Sequence, residues 1–224
     1  KQAAETGLNP STPPEGVALK DDIVIGMKYL YSNMPYSDVG NYTFDTYLDY
    51  VQQGIYLWEN SPYVKNYPEL YFLNYVLFHR TNDEEIKPCR TYFWEKIKDK
   101  VQGKTMVEAA LEINHWCAGE VMYQGTDMRT GSALEIYRSG VGRCGEEAVF
   151  VVNVMRSAGI PARPVYVPRW SHCDDNHAWV EVWCDGDWHY LGACEPEAVL
   201  DKSWFTNAAS RAMMIGSRWY DRAM

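Results

Sequence analysis

Two residues carry the chemistry this sequence advertises, Cys144 and His177. A thiol serves catalysis as its thiolate, and the first turn of a helix, with its free N–H groups, is where a thiol loses its proton most readily. Cys144 follows Gly142-Arg143 and precedes Gly145. From Cys144 onward Ala148, Val151, Val152, Met155 and Ala158 recur at helical spacing, and Gly159-Ile160-Pro161 supplies a left-handed cap, an apolar follower and a stop. The spacing predicts a helix of about four turns with Cys144 at its head. There the Cys144 amide is free to donate to an oxyanion, and Gly145 leaves room for a substrate carbonyl to reach the backbone. His177 opens the strand-like run His177–Cys184, on which alternate residues share a face. His177, Trp179, Glu181 and Trp183 fall on one side, with the two tryptophans as walls of a cleft. The small apolar set Ala178, Val180, Val182 and Cys184 falls on the other, as core.

The elements around this pair read as α+β. Further strand-like runs cover Ala162–Pro168 and Trp188–Leu191. Asp185-Gly186-Asp187 joins the last to the His177 strand as a hairpin. Two capping boxes, Thr105 with Glu108 and Ser132 with Glu135, start helices that run to about Ala118 and Gly140. The stretch Asn82–Lys100 begins with acids and ends with lysines, as the dipole of one helix would ask. Residues 1–20, rich in Pro, Gly, Ser and Thr, read as a flexible leader. Residues 21–104 read as a helical N-terminal extension and residues 105–224 as the core that carries Cys144 and His177.

Three blocks resemble the transglutaminase-like superfamily: Gly142-Arg143-Cys144-Gly145-Glu146-Glu147-Ala148-Val149-Phe150, Arg156-Ser157-Ala158-Gly159-Ile160-Pro161-Ala162-Arg163 and Asn176-His177-Ala178-Trp179-Val180-Glu181-Val182-Trp183. The nearest flavour is that of bacterial transglutaminase-like proteins and peptide N-glycanases, over residues of roughly 105–205. The resemblance implies a papain-like core, a helix packed on an antiparallel sheet. It implies a Cys144 thioester formed on an amide carbonyl of a peptide or protein, glycosylated ones included, with His177 as base. Hydrolysis and transamidation both follow from that intermediate, and a catalytically inactive module that binds peptide or glycan is the alternative. In the family an Asp on the next strand orients the histidine. Here Gly192 stands at that position in Gly192-Ala193-Cys194-Glu195, so Glu195 is the replacement candidate, ahead of Asp187 and Glu181. Gln124, after a strand-like run at Val121–Tyr123, is the candidate second oxyanion donor. No cofactor is implied. The helical part resembles extensions of secreted Bacteroidetes members, which implies a secreted, periplasmic or cell-surface protein with further domains beyond residue 224.

Composition excludes several other classes. A net charge of −9 leaves no basic footprint for nucleic acid. No apolar run approaches the ~18 residues of a membrane span. Cys173, Cys184 and Cys194 with His172, His177 and His189 invite a zinc reading, but no Cys-x-x-Cys knuckle is present, and the pleat turns Cys184 away from His177. Asp174-Asp175-Asn176 lacks the further ligands of a calcium loop and reads as a turn. The 17 Tyr and 9 Trp serve packing, or a groove for peptide or sugar.

Overall fold

The computed structural model describes residues 20–125 and 129–218. The expected leader lies outside the described residues, except for Lys20. Helices α1 (Asp21–Asn33), α2 (Tyr36–Asn41) and α3 (Phe44–Asn60) come first. A short α4 (Glu69–Phe72) then runs on into the π-helical turn Leu73–Leu77. Helices α5 (Arg90–Val101) and α6 (Met106–Glu120) lead to the short strand β1 (Met122–Tyr123). After α7 (Ala133–Ser139) comes β2 (Val141–Gly142), parallel to β1 and ending one residue before Arg143. Helix α8 (Cys144–Ser157) is followed by β3 (Ala162–Val167), β4 (His177–Cys184), β5 (Asp187–Leu191) and a last turn, α9 (Thr206–Ala209).

Helix α8 is the axis of the molecule. Every residue from Glu146 to Ser157 is buried, because one side rests on the sheet and the others on α5, α6, α7 and the π-helical turn. The sheet is antiparallel in the order β3-β4-β5. Val180, Val182 and Cys184 turn toward the main core with α8. Trp179 faces the opposite side, in a smaller cluster with Val165, Val167, Trp170 and Phe205. The β4–β5 loop is Asp185-Gly186, at φ 54° and 94°. A two-residue hairpin of this twist needs φ > 0 at both positions. Both capping boxes form, at Thr105 and Ser132. Gly159 at φ 83° ends α8, and its Cα lies so close to Ser61 that an added Cβ would sit 2.9 Å from that hydroxyl.

The segment Asn82–Lys100 does not form one helix; α5 begins only at Arg90. Pro88 removes a donor and restricts the residue before it. The Glu84 carboxylate turns back to accept from Thr81 N (2.7 Å) and Asn82 N (2.6 Å), closing a local turn. The free amides of α5 are taken by Asp49, from α3, which accepts from the backbone N of Cys89, Arg90 and Thr91 at 2.8, 2.7 and 3.2 Å. The cap comes from forty residues away and not from the acids at 83–85.

Two buried arginines fix this extension to α8. Arg156 donates from Nη1 to the carbonyls of Phe78 (2.9 Å) and Arg80 (3.1 Å), and from Nε to Ala162 O (3.0 Å). Arg90 donates to Phe78 O (3.1 Å) and to Asn153 Oδ1 (3.1 Å). Gln53 reaches Ser157 O and Tyr67 reaches Gly159 O. A single hydrophobic core runs from Met27 through α8 to Ala193, so the extension completes the fold around the helix that carries Cys144.

Candidate active site

Cys144 is the first residue of α8, and its thiol opens on a cavity of about 690 Å³. The parallel β1–β2 pair aims the chain into that position. Arg143 is the cap, and Glu146 reaches back to its backbone N at 3.1 Å. His177, the first residue of β4, lines the same cavity together with Gly145, Ala178 and residues 164–168 of β3 and its end. Backbone N–H groups of Ala178 and Gly145 lie against the sulfur and favour its anion. Burial nevertheless outweighs them and pushes the Cys144 thiol above its ordinary range, with the Glu147 carboxylate adding to the rise. The helix-head position alone leads to the opposite expectation, because depth is not visible in a motif.

The histidine is equally shielded. Its ring sits among Trp170, Trp179, Trp204 and Phe205, with centroids at 6.2, 6.2, 4.8 and 4.9 Å. Burial lowers its pKa to about 4, only partly offset by Asp175. Nε2 is buried and makes no hydrogen bond, and none joins the ring to the thiol among the described residues. The resting pair is therefore neutral thiol and neutral imidazole on one cavity wall.

Glu195 lines the cavity too, but its carboxylate accepts from Trp204 Nε1 at 3.0 and 2.9 Å and makes no hydrogen bond with His177. The link to the histidine runs through the indole ring. Gly192 explains the arrangement. Residues 192–195 form a tight turn closed by Glu195 N donating to Gly192 O (3.1 Å), with Cys194 at φ 57°. Asn114, buried on α6, braces the turn by donating to Gly192 O and accepting from Cys194 N. A Cβ at position 192 would lie 2.3 Å from Glu195 Oε2 and 2.8 Å from its Cβ. The Glu195 side chain fills the space that a residue-192 side chain would use. Burial raises the Glu195 carboxyl, against the Trp204 bond. Burial, with the charges of Glu195 and Glu146, raises Glu147 to about 8.

Other expected residues fall elsewhere. Gln124 is exposed and donates its backbone N to Gly142 O (2.9 Å). Its neighbours Tyr123 and Gly125 line the cavity, but Gln124 does not. Trp179 packs under His177 without reaching the cavity. Trp183 lies at the far end of β4 against Tyr71 and Trp188, remote from the site, because the strand carries it some six residues beyond His177. Glu181 is paired with Arg163 (2.6 Å), and Asp187 lies at the hairpin. Asn82, Tyr166, Trp204 and Arg218 also line the cavity. Only the fold brings these together, and no local motif marks them.

The combination of a helix-head cysteine, a strand-head histidine and an antiparallel sheet agrees with a sequence comparison. Residues 95–193 match the transglutaminase-like superfamily. This transglutaminase-like segment begins inside α5, spans Cys144 and His177 and ends at Ala193, before Glu195. It supports a cysteine enzyme in the general sense. No curated protein sequence matches the chain. Among solved structures, a candidate cysteine protease from Cytophaga hutchinsonii is similar with 19% identity and a TM-score of 0.40, over 58% of this chain and 45% of that one. Red sea bream transglutaminase is similar with 15% identity and a TM-score of 0.35, over 80% of this chain and 32% of that one. The chain thus spans less than half the length of either.

Proposed function

We propose that the cavity is an acyl-transfer site acting on amides of peptides or proteins, with Cys144 as nucleophile and His177 as base. The observation that carries this reading is the pair's shared cavity wall, with the Gly145 and Ala178 amides at the sulfur. His177 takes the thiol proton as sulfur attacks the carbonyl carbon. The C–N bond then breaks, and the same proton leaves with the amine. Water or a second amine opens the thioester, giving hydrolysis or transamidation. Donors for the oxyanion are the backbone N–H groups at the head of α8. Glu195 acts as a positioning residue, holding Trp204 against the imidazole, and no metal or cofactor takes part. Secretion and an envelope or extracellular substrate belong to the same reading.

A second reading, a binding module without chemistry, is favoured by the raised Cys144 thiol and the unpartnered His177 Nε2. A mass-spectrometric screen of a peptide library for cleaved or crosslinked products separates the two. Products that disappear in both Cys144→Ala and His177→Ala support acyl transfer. Products that persist undiminished in Cys144→Ala, or none at all, rule it out.

A further inference from the structure

The edge of the sheet next to the cavity is already occupied by a piece of this chain. Among the described residues, β3 is paired with a strand on one side only, by β4. On its open side Tyr166 N donates to Gly216 O (2.9 Å) and Gly216 N donates to Tyr166 O (3.0 Å), one antiparallel rung. Ser217 Oγ donates to Pro164 O (2.6 Å), and Arg218 extends to within 3.9 Å of Asp83. The positions two before and two after Tyr166, which share its outward direction, are Pro164 and Pro168. Neither can donate, so the Tyr166 N–H is flanked on both sides by prolines. An edge so blunted resists general strand addition and accepts a chain in one register. Pro164, Tyr166, Pro168 and Arg218 line the same cavity as Cys144 and His177.

The apolar side chains of the occupying segment are largely exposed, Met213 by 94%, Met214 by 63% and Ile215 by 49%. The backbone rung, the Ser217 hydroxyl and Arg218 hold it in place. We propose that Tyr166 on the open edge of β3 is the docking rung for the backbone of an extended peptide substrate, and that residues 215–217 hold it as a stand-in in the resting chain. This rests on the reading that the cavity acts on peptides. Strand addition gives affinity through the main chain and is tolerant of side chains. The tethered segment competes at an effective concentration on the order of mM, so a free peptide binds well only when the segment is displaced.

The test uses a synthetic heptapeptide with the sequence Ala212–Arg218 and a copy N-methylated at the position of Gly216, titrated by calorimetry. In the chain, Gly216→Val pushes a side chain into the Tyr166 ring, whose atoms lie 3.3 Å from an added Cβ. Gly216→Pro removes the donor and also places ring carbons at that position. Both variants are expected to bind the heptapeptide at least tenfold tighter than the parent protein and to ignore the N-methylated copy. Bound peptide is expected to slow iodoacetamide labelling of Cys144 severalfold. Equal binding to parent and variants, equal binding of the N-methylated copy, or Cys144 labelling untouched by bound peptide would each overturn the proposal. Calorimetry is blind to chemistry, so a Cys144 that never turns over an amide fails the acyl-transfer reading and leaves this result standing by itself.

Discussion

Gly192 and Glu195 should be coupled through space, and the size of that coupling follows from the turn they share. Gly192 is not in the left-handed region, so a methyl added there meets neighbours and not backbone strain. Those neighbours are Glu195 Oε2 at 2.3 Å, its Cβ at 2.8 Å and its Cδ at 3.2 Å. The carboxylate can swing away, but a Cβ cannot without moving the turn. Overpacking of this kind costs about 2 kcal/mol. Glu195→Gly releases Trp204 Nε1, a charge-assisted bond that its exposure discounts to about 1 kcal/mol. The new glycine adds about 1 kcal/mol of chain entropy. Independent effects would sum to about 4 kcal/mol. In the double variant the obstruction is gone, and the expected loss is about 2 kcal/mol, a coupling of about 2. Urea unfolding of the parent, both single variants and the double variant measures it. A coupling below about 0.5 kcal/mol would mean that Glu195 does not occupy the residue-192 space, and the account of the glycine would fall.

Two further expectations concern buried ionisable groups. His79 and His177 are both lowered from about 6.5 to about 4 by burial. Between those values the unfolded chain binds protons that the folded chain refuses, so stability falls as pH falls through that window. Each histidine contributes up to about 3 kcal/mol at the acid end. Denaturant midpoints from pH 7 to 4 should show His177→Asn losing less stability than the parent, by up to about 3 kcal/mol, and an unchanged slope would show that the ring is not shielded. Arg156, buried and hydrogen-bonded to three carbonyls, joins α8 to the extension and to β3. Arg156→Met should cost about 3 to 5 kcal/mol by leaving those acceptors unsatisfied. A melting temperature within a few degrees of the parent would contradict the clamp.

What could be read from the sequence was local. The Gly159-Ile160-Pro161 stop, the Asp185-Gly186 hairpin and both capping boxes each depend on residues within a turn of one another, and each forms where expected. The strand parity that separates His177 from Cys184 is equally short-range. The failures are of another kind. Acids at 83–85 satisfy the same dipole rule as a helix start, but Asp49, on a different helix, supplies the cap of α5. Trp204 and Glu195 meet across nine residues with no motif to mark the pairing. Asn82 and Tyr166 enter one cavity from different ends of the chain. Burial, which sets both the thiol and the imidazole, is a property of the assembled core and is written in no single segment.

That burial bears on how the proposed chemistry could run. Burial raises the thiol above its ordinary range and holds the imidazole at about 4, so moving the proton from sulfur to the ring at rest is uphill. A standing thiolate–imidazolium pair is not required: the proton can leave sulfur as the S–C bond forms, when charge moves to the oxyanion and its amide donors. The histidine side of that transfer is where the arrangement of Glu195 matters. Nε2 is buried without a partner, and the carboxylate that fills the residue-192 space is held by an indole in contact with that same ring. Any motion of Trp204 that releases Glu195 toward Nε2 would raise the imidazole pKa and narrow the gap. On this reasoning Trp204→Phe, which keeps the ring but removes the Nε1 donor, should raise the apparent pKa governing the acid limb of Cys144 reactivity. The pH profile of Cys144 labelling measures that shift. A limb at the parent's position would show that Glu195 acts on the indole alone, and that His177 works without a carboxylate.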